Sequence, residues 1–121
     1  MKNYQALAEK LVNEAYLHGG ATLNISGEAL TRGFAVGSQN IYTGKMPEHR
    51  ELADIGKKIG EARSSNLTSI YGSWRDTTSK LLYIDAVILY INKANAIAKA
   101  KENGEIAIYD LSTNDEIRID N

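Results

Sequence analysis

The stretch Leu81–Asn92, LLYIDAVILYIN, decides how this chain folds. Its first eleven residues are aliphatic or aromatic except for one carboxylate, Asp85. Alternate residues of a strand face opposite sides of a sheet. Here the odd set (Leu81, Tyr83, Asp85, Val87, Leu89, Ile91) and the even set (Leu82, Ile84, Ala86, Ile88, Tyr90) are both apolar. A strand that is apolar on both faces is normally covered on both. Crossing a bilayer takes about 20 residues, so the run is too short and Asp85 interrupts it. Asp85 has three readings: an acceptor of backbone or hydroxyl hydrogen bonds at a bulge, a contact to a ligand such as a ribose hydroxyl, or a catalytic acid. No second acid, metal ligand or nucleophile stands at a spacing that supports the third.

Outward from this strand the chain alternates between two periods. Residues 4–18 carry Tyr4, Leu7, Leu11 and Ala15 at helical steps, with Asn3 as cap and Gly19-Gly20 as stop. Two strands follow, 21–25 and 32–37, and then a loop over SQNIYTGKMP. Pro47 suits the first turn of a second helix running to about residue 64, with Leu52, Ile55, Ile59 and Ala62 on one face. Gly56 and Gly60 weaken that helix by about 1 kcal/mol each unless something packs closely against them. TSIYGSWRD reads as a strand, DTTSK as a turn and LLYIDAVILYI as the next strand, bulged near Asp85. Asn92 caps a third helix ending at Gly104, and EIAIYDL and EIRID flank STND as a hairpin.

This order predicts one α+β domain over residues 1–121. Its antiparallel or mixed β-sheet is built from three helix–strand–strand units, with the helices mainly on one face. Three helices cover one side of six strands. The second apolar face of the 81–91 strand therefore predicts a second copy of the chain, a homodimer or higher homo-oligomer, with about 800 Å² buried per partner. The alternative is a bend at Asp85 that hides both faces within one subunit.

Composition narrows the function. A net charge of −1 argues against a binder of DNA or RNA polymers. The absence of cysteine removes disulfides, thiolate nucleophiles and cysteine-ligated zinc. The charged N-terminus is no signal peptide, so a cytoplasmic protein without a membrane partner is expected. No nucleophile elbow, P-loop, HExxH or GxGxxG motif occurs, and neither an enzyme, a cofactor nor a metal is expected. His18 and His49 read as surface residues at helix ends.

Binding features are richer. YGSWRD sets Trp74 beside Arg75, an aromatic for stacking a base and a guanidinium for phosphate; for Trp74 alone, a place in the core is the slightly favoured reading. Asn92 opens a helix whose free N–H groups suit an anion, or serves as a plain cap. Arg118 is the one cation in the acidic last twenty residues, either paired locally or reserved for an anion. Arg32 lies among small polar residues that can rim a phosphodiester.

GGATLNISGEALTRGFAVG, then YGSWRD, LYIDA and AIAKAKENGEIAIYDL together resemble the Thoeris anti-defence one family of phages and prophages. The likeness spans nearly the whole chain through glycine, aromatic and aspartate positions. Members of that family are sponges. They sequester the cyclic ADP-ribose isomers that bacterial TIR proteins make as an alarm signal. The resemblance implies a symmetric oligomer in the infected or lysogenic host cell, with nucleotide pockets at subunit contacts. Such a pocket wants Trp74 or Tyr83 for stacking, Arg75 and Arg118 for phosphate and Asn92 for polar recognition. A second site for cyclic oligonucleotides, as in some members, would fall on Arg32, Ser38 and Gln39. The alternative is an inhibitor that binds another protein through its acidic C-terminal hairpin.

Overall fold

The computed structural model describes residues 4–66 and 69–119. In chain order the elements are α1 (Gln5–His18), β1 (Gly20–Asn24), β2 (Phe34–Gly44), α2 (Leu52–Asn66), β3 (Ile70–Arg75), β4 (Leu82–Tyr90), α3 (Lys93–Glu102), β5 (Ala107–Asp110) and β6 (Asp115–Arg118). The strands form one six-stranded sheet in the order β1-β3-β4-β2-β5-β6, and every neighbouring pair is antiparallel. The fold is α+β with an antiparallel, not mixed, sheet. Helix, strand and strand follow one another three times along the chain, but the sheet does not keep them as units. β1 and β2 are separated by β3 and β4, and only β3–β4 and β5–β6 pair with their chain neighbours.

The helices form where the apolar spacing places them. Leu7, Ala8, Leu11, Val12 and Ala15 bury one stripe of α1, and Gly19 ends it in the left-handed region at φ 87°, its N–H donating to the Ala15 carbonyl. The expected cap Asn3 lies outside the described residues. Leu52, Ile55, Ile59 and Ala62 form the buried stripe of α2. Gly56 and Gly60 are buried there as well, and the Tyr4 amide donates to the Gly56 carbonyl at 3.3 Å. Close approach of the chain entering α1 thus accounts for Gly56.

Three local expectations are corrected. Of the segment 38–47 only residues 45–47 are loop, because β2 continues to Gly44 through register shifts at Gly37/Gln39 and Asn40/Tyr42. These irregularities break the alternation that identifies a strand. The bulging expected of β4 thus lies in its partner, opposite Asp85. Pro47 does not open α2 either. A 3-10 turn over His49–Glu51 precedes the helix, and Glu48 caps it in a reciprocal capping box with Glu51.

Leu82, Ile84 and Ala86 of β4 are fully buried beneath α1 and α2. Tyr90, on the same face of β4, joins Val36, Ile108, Ala96 and Ala100 beneath α3. All three helices therefore lie on one face of the sheet. A buried hydrogen bond of 2.7 Å from Ser73 Oγ to the Leu11 carbonyl ties β3 to α1.

The opposite face curls on itself. Trp74 of β3 reaches Tyr109 of β5 across the two strands that lie between, and Arg118 of β6 across three. Bulges bend a strand and increase its twist, and those in β2 sit in the middle of this curve. At one end Val87 packs with Ala35 and Leu111, joined by Leu30, Leu89 and Tyr109. At the other end Tyr83 and Asp85 line a cavity. Both faces of β4 are thus met within one chain, and its two-faced pattern does not by itself require a second copy.

Candidate ligand-binding site

Cross-strand pairing builds the aromatic wall. Trp74 and Tyr83 are register partners on β3 and β4. Their rings stack at 5.5 Å between centroids with 28° between planes. Tyr109 meets Trp74 edge-on at 6.2 Å. Arg118 stands opposite Ala107 in the β5–β6 pair, which points it to the same face as Tyr109. Its guanidinium carbon lies 5.4 Å from the centre of the Trp74 ring. Glu116 holds that guanidinium through a 2.7 Å contact to Nε, so the arginine is paired locally and stacked at once. Burial raises the Tyr109 hydroxyl far above its ordinary pKa, with the charge of Glu116 adding to it, and the ring stays neutral.

Beside this wall lies a cavity of about 320 Å³, lined by Trp74, Tyr83 and Tyr109 and, at its other end, by Asp85 and Glu105. That volume is at the lower bound for small-molecule sites. Glu105 arrives by way of a helix terminus. Gly104 adopts φ 69° after α3, its N–H donates to Lys101 and the Glu105 N–H donates to Ala100. This Schellman arrangement turns the chain around the sheet edge. The Asn103 amide reaches the Gly37 carbonyl there at 3.2 Å.

Gly37 leaves room for both acids. A Cβ at that position would stand 2.9 Å from Glu105 Oε1 and 3.3 Å from Asp85 Oδ2. The Asn40 amide, brought over by the β2 bulge, donates to Asp85 Oδ1 at 2.9 Å and to Thr43 Oγ1 at 2.9 Å. Burial raises the Asp85 carboxyl, opposed in part by the Asn40 hydrogen bond. Burial and then the neighbouring Asp85 charge push Glu105 up to about 7. Two acids in one desolvated corner do not both ionise readily near neutrality.

The residues singled out from the sequence divide accordingly. Trp74, Tyr83 and Arg118 come together on the aromatic wall, and Trp74 lines the cavity without joining the core. Arg75 lines an adjoining space of about 590 Å³ that shares Trp74 and Tyr109 with the first and also contains His18 and Asp110. Asn92 stands apart: its side chain accepts from the Asn95 N–H at 3.1 Å as the cap of α3. Arg32, Ser38 and Gln39 are not gathered into one site. Arg32 is exposed two residues before β2, Ser38 donates to the Ala86 carbonyl, and Gln39 lines a third hollow with Lys58 and Ser65.

Sequence reasoning missed Glu105, Tyr109 and Asn40. A signal existed for Glu105, since a glycine closing a helix fixes where the next residue points. None existed for Tyr109, whose place follows from the curl of the sheet. Among the described residues no group of three acids or histidines is arranged for a metal, and no helix is long and apolar enough to cross a membrane. No protein-family model, curated protein or solved structure matches the chain.

Proposed function

We propose that the protein is a phage or prophage anti-defence sponge. On this reading it captures a small nucleotide signal of the cyclic ADP-ribose class reversibly and without catalysis. The observation that carries the reading is the stacked pair Trp74 and Tyr83 on one wall of a cavity, with the Arg118 guanidinium 5.4 Å from the Trp74 ring centre. A base stacked on such a platform contributes about 1–3 kcal/mol. A phosphate on a guanidinium contributes about 1.5–3 kcal/mol more. Arg75, in the adjoining space, is available for the second phosphate of a pyrophosphate. A sponge needs affinity and no turnover.

The test is to load the purified protein with cyclic ADP-ribose isomers, wash it, denature it by heat and identify what is released. Intact ligand, with binding weakened at least about tenfold by Trp74→Ala and by Arg118→Ala, supports the proposal. A chemically altered product means an enzyme instead. Failure to retain any isomer overturns it and favours the protein-binding reading of the acidic hairpin. Self-association, if it occurs, has exposed apolar residues to use at the end of β4, where Ile91 is 97% exposed. Sedimentation at micromolar concentration decides that point.

A further inference from the structure

The acid end of the cavity is not used by base stacking or by phosphate. A carboxylate there would repel an anion. Asp85 Oδ1 has Asn40 as donor, whereas among the described residues neither Asp85 Oδ2 nor the Glu105 carboxylate accepts a hydrogen bond or joins an ion pair. Neither is sealed away, since no buried side-chain oxygen among the described residues is left without a partner. Both acids open into the cavity and lack donors there. A group that donates two adjacent hydrogen bonds fits them.

Two kinds of donor are possible in principle, an ammonium and a pair of hydroxyls. An ammonium is held best by fully ionised carboxylates, and two desolvated acids that do not readily ionise together offer it less charge. Hydroxyls add no charge. They can also accept from whichever acid holds a proton, which suits a pair of which one member titrates near neutrality. An aromatic face next to acceptor oxygens and an amide is likewise suited to a sugar ring.

We infer that Asp85 and Glu105 form a subsite for a vicinal diol, holding the ribose of the bound nucleotide through its two hydroxyls at the acid end of the cavity. The subsite rests on the nucleotide reading for its neighbours on the aromatic wall and on the cavity's own geometry for its chemistry. Asn40 acts as the positioning residue that holds Asp85 toward the cavity.

Trp74 is the only tryptophan, so its fluorescence reports directly on this cavity. Titrate the full chain with adenosine, with 2′,3′-dideoxyadenosine and with a methyl ribofuranoside, by that signal and by calorimetry. Adenosine should bind at least about tenfold more tightly than the dideoxy compound, the loss expected for two hydrogen bonds to carboxylates. Asp85→Asn and Glu105→Gln should each narrow that ratio while leaving the affinity for dideoxyadenosine in place. Equal affinity for the two nucleosides overturns the diol subsite and leaves base capture standing. Riboside binding that is sensitive to the two variants, without any preference for adenosine, keeps the subsite and removes the nucleotide reading. Binding of none of the three overturns the diol subsite, and the retention of cyclic ADP-ribose isomers decides the nucleotide reading separately.

Discussion

Gly20 occupies a position that no side chain fits. Its φ is 155°, and a Cβ built there would overlap the Ser73 carbonyl oxygen. Because the obstacle is backbone of the paired strand β3, it cannot swing aside. Gly20→Ala should destabilise the fold by about 2 kcal/mol or more, read as a lowered urea midpoint with an unchanged slope. Gly37 is a different case. The atom nearest a new Cβ is the far end of Glu105, which can rotate away. Gly37→Ala should therefore cost less than about 1 kcal/mol in the same measurement, yet displace Glu105 from the cavity and shift its titration toward ordinary glutamate values, as followed by NMR. Nothing in a single sequence separates these glycines, since both simply precede or interrupt strand-like runs. What separates them is the identity of the neighbour.

At the scale of elements, α3 shows how much a local pattern carries. Asn92 and Gly104 bracket the helix as their residue types require, and both termini were legible from the sequence. Asn92→Ala should lower stability by about 1 kcal/mol in chemical denaturation and leave nucleotide affinity unchanged, because its side chain is engaged with the Asn95 amide. The second half of β2 was not legible. Ser38, Gln39 and Asn40 are polar and exposed, and the two register shifts destroy the two-residue period by which strands are recognised. Those shifts are also what carries Asn40 to Asp85, so the site's positioning contact arises from the irregularity that hid the strand.

Across the whole molecule, the site depends on the sheet closing on itself, and that closure links stability to pH. Glu105 titrates at about 7 in the folded protein against an ordinary value of 4.5. Its neighbours in the corner are Asp85 from β4, whose carboxyl is also raised, with Asn40 from β2 and Tyr83 and Tyr109 on the wall. The folded chain thus keeps a proton that the unfolded chain releases first. Its stabilising contribution is complete below about pH 4.5 and is lost as pH rises through about 7. Asp76 and Asp110 act in the opposite sense, because turn hydrogen bonds lower both, but their effect falls below pH 3.8. The unfolding temperature should therefore decline from pH 5 to pH 8, and Glu105→Gln should flatten that decline.

The sheet has one thin seam. β2 and β4 share nine paired positions, whereas β2 and β5 share only two, Phe34 with Asp110 and Ala35 with Tyr109. The last hairpin, which carries Tyr109 and Arg118, is therefore stitched to the body more loosely than any other strand. Amide hydrogens along β5 and β6 should exchange with deuterium well ahead of those in β3 and β4. That breathing would set how quickly a guest enters and leaves, so the tightness of the grip and the speed of the doorway would be governed by different parts of the chain.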